Sequence, residues 1–233
     1  MTCVSVLVIL LAVVISISSA DTRCTSTKRA KKNLQKLALA NNELAFNLLR
    51  KIDTERQSQN IFFSPFGISM AFGMLFYGSR GNTAVELRNV LGYQKANLPD
   101  EAVHDTFNCF LTKVLKDNAS SDEYVLNSAN ALLVDKYLEL FPEFKNNVQN
   151  LYKASVRDVD FANDSLKLVG EINDWVKEKT HGKINRILRN LSPSTVMVLL
   201  NSVYFKGTWK FHFAPELTFR RKFYNNGLSS AGK

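Results

Sequence analysis

The chain has 233 residues, a formal net charge of +9, 45% hydrophobic and 22% charged residues, with 10 glycines and 5 prolines. That length supports a substantial hydrophobic core, and the composition excludes both a disordered chain and a collagen-like one. Three cysteines are too few to staple a chain of this size, so the core must come from packing.

Residues 1–20 contain no charged side chain; an apolar run over 4–17 is followed by Ser18, Ser19 and Ala20. This reads as a secretory signal, with the chain terminus supplying the only positive charge ahead of the run. The run is shorter than the about 20 residues a membrane span needs. Every later apolar stretch is broken by charge, so no membrane span is expected. The prediction is a secreted, extracellular protein with one domain over 21–233. Cys3 leaves with the signal, and Cys24 and Cys109 are then either a disulfide or two free thiols.

The basic residues fall into three groups: Arg23, Lys28, Arg29, Lys31, Lys32 and Lys36; Lys177, Lys179, Lys183, Arg186 and Arg189; and Arg220, Arg221 and Lys222. Outside the cell their natural acidic partners are sulfated polysaccharides and membrane surfaces. A solvated face is the plainer reading. No aromatics interleave with these charges, so no nucleic-acid partner is expected.

Leu34, Leu37, Leu44, Leu48 and Ile52 trace one helical face over 34–52. Ser64 followed by Pro65 marks a helix start, because the hydroxyl can accept an orphan amide hydrogen and proline suits the first helical position. The helix that follows is nearly all apolar and is expected to be buried on every side. Thr83 and Glu86 form a capping box, and Gly92 sits where a left-handed cap would end that helix. After Pro99, Val103, Phe107, Phe110, Leu111 and Val114 keep helical spacing, with Cys109 off that face and expected to be exposed. Residues 124–134 read as a strand, and Phe144, Val148 and Leu151 as a helix. A further helix covers 165–179, with Gly182 as its stop. Residues 195–205 are too continuously apolar for a half-exposed strand and are placed in the interior of a sheet.

Catalytic and metal signatures are missing from the sequence. His104, His181 and His212 are scattered, and there is no HExxH, CxxC, GxSxG or GxGxxG pattern. Residues 227–233 spell GxxxxGK without the Ser or Thr that must follow, a chance match. No enzyme activity, metal or cofactor is expected.

Several longer stretches carry a resemblance. NIFFSPFGISMAFGMLFYGSRGNT at 60–83, SANALLVDK at 128–136, VDF ending at Phe161, WVKEKTHGKI at 175–184 and NSVYFKGTW at 201–209 occur in one order. Together they resemble the serpins, the large family of serine-protease inhibitors, over about 34–227. The resemblance implies an α+β fold in which amino-terminal helices pack on a mixed sheet, sheet A, incomplete at the carboxyl end. It implies a secreted inhibitor of serine, and in a lesser reading cysteine, endopeptidases. A cleaved loop would enter sheet A while still esterified to the protease. The alternative is a serpin-fold carrier that never inhibits. In the family the hinge and reactive loop follow the region where this sequence stops, which implies a chain inactive as given, with an apolar strand edge prone to aggregation.

By the same resemblance Ser64, Pro65 and Asn201 match the shutter, where sheet A parts, and Trp209 matches the tryptophan at the top of that sheet. Asn201 interrupts an apolar strand, so its amide needs a partner such as the Ser64 hydroxyl. Gly67 stands where the family more often has Ser. A heparin-like glycosaminoglycan is a candidate partner, through Lys31 and Lys32 ahead of the first helix and Lys113 and Lys116 on the fourth. Asn118, Asn163 and Asn190 open N-glycosylation sequons, of which Asn118 and Asn163 are preferred because they lie between predicted elements.

Overall fold

The computed structural model describes residues 27–55, 61–114 and 124–221. The expected signal over 1–20, Cys24, Lys116, Asn118 and the 227–233 match lie outside the described residues. Helix α1 (Lys28–Glu55) starts earlier than its apolar spacing indicates, because Thr27 Oγ1 accepts the Ala30 amide hydrogen at 3.1 Å. Its Leu37, Ala40 and Leu44 are buried. Helix α2 (Pro65–Gly78) begins as predicted: Ser64 is extended, and its Oγ accepts from Gly67 N at 3.1 Å. Burial on every side does not hold. Phe72 is 44% exposed, at a shallow apolar groove it shares with Leu44 and Leu48 of α1.

Helix α3 (Gly81–Val90) is capped at Arg80, three residues ahead of Thr83, with no side-chain cap hydrogen bond. The expected capping box is displaced because Gly81, at φ +57°, turns the chain into the helix first. Gly92 has φ +76° and closes the turn as predicted. Helix α4 (Asp100–Cys109) runs into a π-helical turn, Phe110–Val114. Cys109 is buried rather than exposed, since α4 hides a face broad enough to include Ala102, Val103, Thr106 and Phe107 as well. Cys109 is disulfide-bonded.

Strand β1 (Tyr124–Asp135), helix α5 (Pro142–Tyr152) and strand β2 (Ala154–Val159) form a parallel crossover; helix α6 (Phe161–Lys179) follows, and strand β3 (Met197–Gly207) returns antiparallel to β1. The sheet order is β2-β1-β3. This is the mixed sheet with helices of an α+β fold. Among the described residues β3 is an edge strand, not an interior one, and β1 is the centre: Asn130 to Val134 are all buried. β2 escapes the sequence reading because ASVRDV carries an Arg and an Asp, and only its ends, Ala154 and Val159, are buried. α6 starts four residues earlier than expected, where Asp160 Oδ1 accepts from Asn163 N at 3.0 Å.

Alternation along the strands divides the core. Leu132, Val134, Met197 and Leu199 face α1, α2, α4 and α5; Ala131, Leu133, Val198 and Leu200 face α6 through Phe161, Leu168 and Ile172. Each fully buried large side chain in these layers contributes about 1.5–3 kcal/mol relative to exposure. No helix among the described residues is long and apolar enough to cross a membrane.

Candidate functional site

α2 lies against the inner face of β3. The register pairs Asn130 of β1 directly with Asn201 of β3, so two carboxamides meet across the strands beneath that helix. Asn201 Nδ2 donates to Asn130 Oδ1 at 2.8 Å and lies 3.4 Å from Ser128 Oγ, one pleat along β1. Asn130, 4% exposed, spends its own amide hydrogens on the Tyr152 carbonyl at the end of α5 and on Met70 Sδ of α2, both at 2.8 Å. One buried side chain thus ties β1 to β3, α2 and α5.

The expected bond from Asn201 to Ser64 is not formed. Ser64 Oγ is taken by the Gly67 amide as a helix cap, and cross-strand register gives Asn201 a nearer partner in Asn130. Gly67 has its own role here. A Cβ added at this position would collide with Asn201 Oδ1 and come within 3.3 Å of Val203 Cγ2. The missing side chain at Gly67 is therefore the space into which the Asn201 carboxamide fits. Asn130, Ser128 and Met70 were missed from sequence. The available signal was the parallel between SANALLV and VLLNSV, each an apolar run with a single internal Asn.

Behind this cluster lies a second buried polar contact. His104 Nδ1 is 2.6 Å from Tyr152 Oη, with the imidazole packed on Phe76 and edge-on to Tyr77. Burial lowers the His104 pKa to about 4 and raises that of Tyr152 well above its ordinary value. With the ring neutral, the phenol donates and Nδ1 accepts.

The other predicted positions are dispersed. Trp209 follows β3, 69% exposed and edge-on to Phe213 at 5.8 Å. Lys31 and Lys32 are exposed in the opening of α1, and Lys113 is half-buried in the π-helical turn. Asn163 is not between elements: it sits in the first turn of α6, and its Nδ2 donates to Asp160 Oδ2 at 2.8 Å. Asn163 and Lys136 together hold the Asp160 pKa down to about 2. Asn190 lies exposed in irregular chain between α6 and β3, the more open of the two sequons.

This arrangement has counterparts among known proteins. The family model described as serpin (serine protease inhibitor) matches residues 39–231. Iripin-2 of Ixodes ricinus is 38% identical over 195 residues, which cover 83% of this chain and 48% of that protein. Cleaved kallistatin complexed with heparin superposes with a TM-score of 0.74 at 30% identity, covering 82% of this chain and 55% of that one. Human thyroxine-binding globulin does so with a TM-score of 0.69 at 34% identity, covering 79% and 48%. The chain spans about half the length of the curated relatives it matches. With family-wide sequence agreement, the mixed sheet and the helices packed on it, this chain belongs to the serpins, the family of serine protease inhibitors.

Proposed function

We propose that the full-length protein is a secreted inhibitor of serine endopeptidases that acts as a suicide substrate. The target's nucleophilic serine attacks a loop carbonyl, the amine half of the cleaved loop leaves, and an ester joins loop and protease. The loop then adds a strand beside β3 before water can hydrolyse that ester. One observation favours this reading above the others: the serpin family model matches residues 39–231, and within them β3 is locked to β1 through Asn201 and Asn130. A strand added beside β3 by main-chain hydrogen bonding would leave that pair intact. The test is incubation of the full-length protein with a panel of serine proteases. An SDS-stable complex of summed mass is expected with at least one; its absence with every protease overturns the proposal.

A second reading, a non-inhibitory carrier, draws support from the likeness to thyroxine-binding globulin. It predicts saturable binding of a small apolar ligand together with failure to form any covalent complex. In either case Ser64, Pro65, Asn201 and Trp209 are proposed to lie where the sheet opens, and Cys24 is proposed as the partner of Cys109. The likeness to heparin-complexed kallistatin supports a glycosaminoglycan contact through Lys31, Lys32, Lys113 and Lys116. Replacing all four by alanine should lower the salt needed to elute the protein from heparin resin.

A further inference from the structure

Residues 177–189 carry Lys177, Lys179, Lys183, Arg186 and Arg189 against a single carboxylate, Glu178, which Lys179 Nζ holds at 2.6 Å. Elsewhere among the described residues some cations are neutralised, Arg88 by Asp100, Lys136 by Asp160, Lys145 by Asp158 and Arg157 by Glu171, while those in the first turns of α1 are not. Among the described residues Lys177, Lys183, Arg186 and Arg189 pair with no carboxylate, and all four are exposed. Lys177 is accounted for by the negative end of the α6 dipole. The other three lie past the helix end, where that explanation fails.

The segment bearing them is held on both sides. Thr180, 2% exposed, donates from Oγ1 to Val176 O at 2.7 Å and accepts there from Ile184 N at 3.1 Å. Asn173 Oδ1 accepts from Ile187 N at 2.8 Å and Leu188 N at 3.0 Å, while its Nδ2 donates to Leu188 O at 2.9 Å. Leu188 and Leu191 turn into the core layer beneath α6, and His181 rests on the Tyr204 ring of β3 at 4.3 Å. The backbone is thus ordered before any ligand arrives, which removes part of the entropic cost of binding.

We infer that this loop is a docking surface for a linear sulfated polysaccharide, with Lys183, Arg186 and Arg189 as its contacts. The two guanidinium groups match the paired oxygens of sulfate, and Lys183 adds a point charge on the same short stretch. No Phe, Tyr or Trp occurs over 176–195 to stack on a base. Leu188 and Leu191 are turned inward, and the exposed Ile184 and Ile187 offer two side chains to a bilayer against three cations to a polyanion. The assignment is separate from the Lys31 and Lys32 face and holds whether or not the full-length protein inhibits a protease.

The experiment measures binding of the chain to a heparin octasaccharide at fixed ionic strength. It compares wild type with a Lys183→Ala, Arg186→Ala, Arg189→Ala variant and with a charge-matched Lys210→Ala, Arg220→Ala, Arg221→Ala variant. All six side chains are exposed, and far-UV circular dichroism confirms an unaltered fold. Removing three solvent-exposed charges together should weaken binding about tenfold in the loop variant. The charge-matched variant should change less than about twofold, and desulfated heparin should bind wild type no better than the loop variant binds heparin. Equal losses in both variants mean diffuse attraction and overturn the assignment. So does an unchanged loop variant, or loop-dependent binding to phosphatidylserine vesicles without binding to heparin.

Discussion

Gly67 and Asn201 compete for one volume, and that competition has a measurable sign. In the wild type, Gly67→Ala drives a methyl group against Asn201 Oδ1 and within 3.2 Å of Asn201 Cγ. The carboxamide must rotate away, which breaks its 2.8 Å bond to Asn130 and leaves Asn130 Oδ1 buried without its donor. The loss is about 1–3 kcal/mol, offset by at most about 1 kcal/mol from replacing glycine in a helix. The net expectation is a destabilisation of about 1–2 kcal/mol. In an Asn201→Ala background that bond is already gone and the space is empty. There Gly67→Ala should be neutral or stabilising by up to about 1 kcal/mol. Urea unfolding of the four proteins, followed by circular dichroism, yields a coupling energy of about 1–3 kcal/mol. If Gly67→Ala costs the same in both backgrounds, the steric argument is wrong.

His104 makes stability pH-dependent. Its folded pKa is lowered to about 4, against about 6.5 in the unfolded chain. Between those values the unfolded state binds more protons, so stability is complete above pH 6.5 and falls by up to about 3 kcal/mol as pH drops toward 4. Urea midpoints at pH 5 and pH 7.5 should show this, and His104→Gln should flatten the difference. Gly92→Ala should cost at least about 2 kcal/mol in the same assay, because a Cβ there meets the backbone oxygen of Ala40 at 2.6 Å on top of a left-handed φ. Gly182→Ala, at φ +74° with open space around it, should cost only about 1 kcal/mol. Expressed through a secretory pathway, the protein should lose one endoglycosidase-sensitive mobility step with Asn190→Gln. Asn163→Gln should change mobility little, since the Asn163 amide is engaged by Asp160.

Elements with strong local chemistry were legible in the sequence. Ser64–Pro65 placed the start of α2, and Gly92 the end of the α3 turn, because each acts through its own backbone geometry. What depends on partners distant in sequence was harder to read. Spacing alone put Cys109 outside, but α4 is covered on enough of its circumference to bury it. Asn201 was recognised as needing a partner, yet the choice of Asn130 over Ser64 is made by the β1–β3 register. β2 was invisible because its edge position allows Arg157 and Asp158 to reach solvent-exposed carboxylate and lysine partners, and polar residues there mask the strand signal.

The two asparagines that close the sheet are 71 residues apart, with α5, β2 and α6 between them. During synthesis at roughly 5–20 residues per second, Asn130 leaves the ribosome roughly 4–14 s before Asn201 does. Throughout that interval the β1–α5–β2 unit can assemble from its own local contacts while one side of β1 waits uncovered. A nascent polypeptide paused within α6 is therefore the species most exposed to mispairing with a neighbouring copy, and the one a chaperone would have most reason to shield.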